Sequence, residues 1–197
     1  MHATGSPAAG RPHLRCPSLG TMQLNDGASA ARVLADLMVS TRPRAEYADA
    51  FRPFAPLIGS WDLDVAWYDE TGAVTRRTQG EWHFAWALDG RAVADVWITP
   101  SRVARATDGD GEWGLSIRIY DPELQAFRST WMGPKAAFVM PFVARASGDT
   151  ITLESQTAST RWEFTGITVD GFNWRNEDID ADGNVILRQT FVATRQP

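Results

Sequence analysis

The chain has 197 residues, 44% of them hydrophobic, and sets 19 Lys and Arg against 24 Asp and Glu for a formal net charge of -5. That length suits one domain with an appendage and a sizeable core, while the mild negative charge leaves no electrostatic footprint for nucleic acid or an anionic membrane surface. The single cysteine, Cys16, excludes an intrachain disulfide and a zinc site built from thiolates.

Residues 1–27 are rich in Gly, Pro, Ala and Ser without an apolar period, which predicts a disordered tail in which Met22 offers a second start. The first residues lack the apolar core of a signal peptide, and no later run approaches the ~18 apolar residues of a membrane span, so a cytoplasmic protein is expected. From Ala28 the pattern changes. Ala30, Val33, Leu34, Leu37 and Met38 share one helical face, and Pro43 stops the helix beyond Ser40. Tyr47, Phe51 and Phe54 recur at helical spacing, extending a helical segment over 28–54 that caps an open end of the β domain C-terminal to it. A homodimer contact through the same helix is the alternative.

The remainder, 55–197, reads as strands separated by turns. Trp61, Leu63, Val65 and Trp67 alternate with Asp62, Asp64 and Ala66. In the stretch from Gly80 to Trp97, Trp82, Phe84 and Trp86 alternate with Glu81, His83 and Ala85. Leu88-Asp89-Gly90 makes a turn, and Val93, Asp95 and Trp97 share the next face, giving a hairpin. A further strand opposes Trp113, Leu115, Ile117 and Ile119 to Ser116, Arg118 and Tyr120. Later strands carry Ser129 and Trp131, then Trp162 and Phe164, then Trp174, then Gln189 and Phe191. About ten short-linked strands with no helix between them predict an all-β fold, an antiparallel up-and-down barrel, with a two-sheet sandwich as the alternative.

Nine Trp and nine Phe against three Tyr exceed the needs of a plain small core and suggest an apolar pocket. Period-two alternation leaves two assignments open. The favoured one turns Trp67, Trp82, Phe84, Trp86, Trp97, Trp131, Trp162 and Trp174 inward with Asp95, Ser129 and Gln189 as the few polar groups. The other turns His83, Arg118, Tyr120, Arg161, Glu163, Arg175 and Glu177 inward, where Arg118 and Tyr120 would hold an anionic ligand. Pairing of Arg118 or Arg175 with Glu163 or Glu177 across strands is the ordinary alternative. Asp95 breaks an aromatic face. It is either a proton-transfer group or an acceptor for an indole N–H, Arg91 or Arg118. His83 is the second candidate for moving a proton. No nucleophile motif, phosphate loop or metal spacing is present.

Gly59-Ser60-Trp61 opening the first strand, with Arg188 and Arg195 near the end of the last, resembles the calycin pattern of lipocalins and fatty-acid-binding-protein-like barrels. The runs PLIGSWDLDV, GEWHFAWALDGRAV and SIRIYDPELQAFRSTW are similar to a bacterial lipocalin-like family of unknown function, over roughly 51–195. The resemblance implies a barrel with a cavity, whose Trp plugs the closed end under an Arg from the final strand. Haem-binding nitrobindin barrels use a His near the C-terminus. This chain has none there, His2 and His13 lie in the tail, and His83 alone remains, so no cofactor is expected. The expectation is therefore a protein that binds a small hydrophobic molecule. A cofactor-free isomerase or cyclase using Asp95 or His83 is the alternative, and a packed barrel acting in protein association is a weaker one.

Overall fold

The computed structural model describes residues 27–197; the tail, with His2, His13, Cys16 and Met22, lies outside the described residues. The chain runs α1 (Gly27–Met38), β1 (Val39–Ser40), α2 (Ala48–Phe51), a 3-10 segment (Arg52–Leu57), β2 (Gly59–Tyr68), β3 (Val74–Ala87), β4 (Ala92–Thr99) and α3 (Arg105–Asp108). It continues with β5 (Glu112–Asp121), β6 (Ala126–Gly133), β7 (Phe138–Ser147), β8 (Thr150–Ser155), β9 (Thr160–Thr165), β10 (Gly171–Ile179) and β11 (Val185–Arg195). Each strand from β2 to β11 pairs antiparallel with the next, and β11 returns to β2 through pairs such as Phe191↔Val65. The result is a closed ten-stranded barrel, which leaves no unpaired edge between its strands. The two-residue β1 joins the far end of β3, at Ala87 and Trp86, beyond the point where β2 begins opposite Phe84.

Alternation decides the two faces. Trp61, Leu63 and Val65 of β2 point inward and are buried, while Asp62 and Asp64 face solvent. The same rule places Trp82 and Phe84, Val93 and Asp95, Phe142 and Ala144, Ile151 and Leu153, and Phe172 and Trp174 in the interior.

One end is plugged. The helical segment continues as a 3-10 turn over Arg52–Leu57, in which Pro53 stands near the start, where its missing N–H costs no bond, and Pro56 lies inside. Phe51, Phe54 and Leu57 are fully buried there, Phe51 against Trp86 and both Phe side chains against Phe127. Trp61 seals the same end. Its indole N–H donates to Leu57 O at 2.7 Å, and the Arg195 guanidinium lies over its ring at 4.1 Å while donating to Ile58 O at 3.0 Å and Pro56 O at 2.6 Å. Gly59 makes this possible, because at φ +136 a side chain would be strained and its Cβ would fall on that guanidinium. The contact implied between an Arg of the last strand and the plugging Trp is thus made by Arg195. Arg188 instead pairs with Asp178 at 2.8 Å.

α1 covers nothing of the barrel interior: none of its residues is buried, and Val33, Leu34 and Leu37 are between 55% and 70% exposed.

Candidate functional site

Two polar groups meet in the middle of the barrel. Asp95 and Arg118, 1% exposed each, form an ion pair between Asp95 Oδ2 and Arg118 Nη1, and Asp95 Oδ1 accepts from the Trp82 indole N–H at 2.5 Å. β4 and β5 bring them together because Val93 stands opposite Arg118 and Asp95 opposite Ser116, so both rows of side chains turn inward. The guanidinium is roofed by Phe54, Phe84 and Phe164, each 5.8–5.9 Å from its carbon. Burying two charges is tolerable only when they neutralise one another and are hydrogen-bonded, and Trp82 supplies the extra bond. Asp95 is thus at once an indole acceptor and the partner of Arg118, while Arg91 pairs with Asp89 at 3.0 Å.

On the side away from the plug, five aromatic side chains close a circuit. Trp97 contacts Trp131 (5.7 Å between centroids), Trp131 contacts Trp162 (5.9 Å), Trp162 contacts Trp174 (5.5 Å), and Phe191 stacks on both Trp174 (4.2 Å, 13°) and Trp97 (5.5 Å, 18°). Trp82 touches Trp174 and Phe191 from the side of the ion pair and so floors the ring. These six residues, with Gln189 one inward step nearer the open end, line a cavity of about 110 Å³. Gly114 makes room for the ring: a Cβ there would lie only 1.9 Å from Trp131 Cη2. The Trp162 N–H donates to Asn176 Oδ1 at 3.0 Å, but the buried N–H groups of Trp97 and Trp174 have no partner among the described residues. Each such donor costs about 1–3 kcal/mol while unmet.

Of the residues expected to line a pocket, Trp82, Trp97, Trp131, Trp162, Trp174 and Gln189 come together around this cavity. Phe84 and Trp86 belong to the packing at the plugged end, and Trp67 stands opposite Gln189 toward the open rim with Arg76 over its ring. Arg118 and Tyr120 do not share a face with His83. They point inward with Asp95, Tyr120 resting on Phe127 at 5.3 Å. The inner row of β5 is polar and small because Gly114 yields to Trp131 and Arg118 must reach Asp95, whereas Trp113 and Ile119 on the outer row are about half exposed. Phe191 lines the cavity although its alternation with Gln189 on β11 was the one signal that could have placed it there.

His83 is on the outer face. Its Nδ1 lies 2.9 Å from Ser60 Oγ and its Nε2 3.2 Å from Glu81 Oε2. Glu81 also receives the backbone N–H of Arg102 at 2.5 Å and its side chain at 2.7–2.8 Å. Burial alone would raise the Glu81 carboxyl, but the bonds from Arg102, with that of His83, hold it below the usual carboxylate range. The remaining polar candidates form a ladder across β9 and β10, with Arg175 paired to Glu163 (2.5 Å) and Glu177 (3.1 Å), and Arg161 to Glu177 (2.5 Å). Those pairs hold the Arg161 guanidinium above its usual range, chiefly through the Glu177 bond. No group of three or more His, Cys, Asp or Glu among the described residues is placed to hold a metal ion, and no described helix is long and apolar enough to cross a membrane.

No known protein family matches this chain, and no curated protein is detectably related to it. Solved structures do resemble it. Rv2717c from M. tuberculosis superposes with a TM-score of 0.51 at 16% identity, covering 76% of this chain and 99% of its own. The S-type phycobiliprotein lyase CPES from Guillardia theta gives a TM-score of 0.48 at 10% identity, over 79% of this chain and 99% of its own. At such identities the likeness is one of fold. The architecture they share is a closed antiparallel β-barrel, here of ten strands and plugged at one end.

Proposed function

We propose that this chain binds a small apolar or aromatic molecule inside the barrel, in the cavity floored by Trp82 and ringed by Trp97, Trp131, Trp162, Trp174 and Phe191. The observation that carries the reading is the ring itself: a closed aromatic circuit around empty space, on the side away from the plug, where the other half of the barrel is packed solid. The volume limits the guest. An apolar cavity of ~150 Å³ holds a benzene, so about 110 Å³ admits a single small ring or a short chain, or one end of a longer molecule that continues past Gln189.

No observation favours catalysis over binding. Asp95 is committed to Arg118 and Trp82, and His83 stands on the outer face between Ser60 and Glu81. The test is native mass spectrometry of the full chain with Trp fluorescence during titration with small hydrophobic metabolites. A bound mass accompanied by a change in Trp emission supports the reading. A bare protein whose emission never moves overturns it in favour of a packed barrel.

A further inference from the structure

The outside of the barrel is as divided as its inside. Across β7 to β10 it carries a charge ladder: Arg145 with Glu154, Arg175 with Glu163 and Glu177, and Arg161 with Glu177. Across β4 to β7 it carries two rows without charge. The outward residues Ala94, Ile117, Thr130 and Pro141 stand opposite one another in register, and beside them run Val96, Leu115, Met132 and Val139. Trp113, Ile119 and Val139 on this face are 50–63% exposed, and Arg128, which bounds it, is paired with Asp121 at 2.7 Å. An apolar face spread over four strands is uncommon on a chain that stands alone in water.

α1 is a second unpartnered apolar surface. Ala30, Val33, Leu34 and Leu37 share one of its faces while Arg32 and Asp36 lie opposite, no residue of the helix is buried, and Val33, Leu34 and Leu37 are 55–70% exposed. A helix of 12 residues is marginal in water unless its apolar face packs on something. α1 runs without a linker into β1, which is paired to the end of β3, and in that position its own sheet leaves the face bare. At its root lies a groove of about 330 Å³, where Met38 and Val39 face Ala85, Ala94, Val96 and Leu115 of the outer sheet surface.

We propose that α1 of one copy of this chain packs on the outer face of β4–β7 of a second copy, and that the second copy returns the contact. The chain carries both halves of that contact, an apolar helix face and an uncharged apolar sheet face, and one two-fold axis covers both. The area agrees. The exposed apolar side chains of the two faces come to roughly 800 Å² per copy, the share each partner gives to a stable dimer.

Sedimentation velocity of the full chain over a concentration series is expected to show a dimer. Leu34→Glu with Leu37→Glu on the helix, or Leu115→Glu with Val139→Glu on the sheet, should each weaken it about 30-fold or more, with the barrel checked by near-ultraviolet circular dichroism. Where a Glu variant fails that check, Ser at the same positions replaces it, with about 10-fold expected. Mixing the helix variant with the sheet variant decides the geometry. One intact contact remains between them, so the mixture should form a heterodimer under conditions where neither variant pairs with itself. A mixture that stays monomeric overturns the exchange. A dimer that survives the sheet variant joins helix to helix, one that survives the helix variant joins sheet to sheet, and either result overturns it as well. So does a parent chain that is monomeric at every concentration, and if that monomer floats with phosphatidylcholine vesicles, the apolar face belongs to a lipid surface instead.

Discussion

The plugged half of the barrel and the ringed half draw on the same aromatic residue types and put them to opposite uses. Toward the plug, Phe51, Phe54, Phe84, Phe164 and Phe172 interlock with aliphatic side chains and close over the Asp95–Arg118 ion pair, whose one unmet donor among the described residues is Arg118 Nε. Toward the open end, bulky indoles lean on one another around a gap, and two of their donors are left unmet. Phenyl rings need only contact, so they can fill a core from any angle. Indoles bring a polar nitrogen that needs a partner when buried.

Changes in the plugged half should act on stability. The largest effect is expected for Arg118→Met, which leaves Asp95 charged and alone in the interior at a cost of about 3–5 kcal/mol in urea unfolding. Adding Asp95→Asn removes the charge while keeping an acceptor for Trp82, and the double variant should recover most of the loss. A single variant as stable as the parent would show that the pair is not holding this half together. Phe54→Ala, which empties a fully buried site under the plug, is expected to cost about 3 kcal/mol by the same measurement.

Changes in the ringed half should act on binding first. Gly114→Ala pushes Trp131 out of the circuit, and about 1–2 kcal/mol of destabilisation is expected together with loss of small-ring binding by fluorescence titration. Retained affinity would mean that the circuit is not what holds the guest, and the contrast between halves would collapse. The smallest effect belongs to neither interior. Because the folded Glu81 carboxyl titrates below its unfolded value, its contribution is fully present above an unfolded value of about 4.3 and is lost as pH falls through the lowered one. Glu81→Gln should therefore make the acid limb of the stability–pH curve shallower and leave the neutral region of its shape unchanged.

Most of the architecture was legible in the chain. The alternation of Trp82, Phe84 and Trp86 and the turn at Leu88–Gly90 lie where the pattern of residues puts them, and the contact of a last-strand Arg with Trp61, which the resemblance implied for Arg188 or Arg195, is made by Arg195. The failure on β5 has a simple cause. Periodicity says which residues share a face but not which face is inside, and there the hydrophobic row, Trp113 to Ile119, lies outside while Gly114, Ser116 and Arg118 turn inward. Those inner residues are chosen by their neighbours across the interior, Trp131 for the glycine and Asp95 for the arginine, and such partners are contributed by strands that a local window never joins. The size of the cavity was illegible for the same reason. It is set by how five indoles from five strands and one phenyl stack, not by how many of them there are.

The seam between β2 and β11 joins residues 61–67 to 189–195, and no shorter loop can stand in for it. Closure must therefore wait until the final strand has left the ribosome, and before then β2 and β10 each present an open row of backbone donors and acceptors. Such long-range pairing is slow to form, so the interval before closure, rather than the finished barrel, is when this chain is most exposed to association with its own copies.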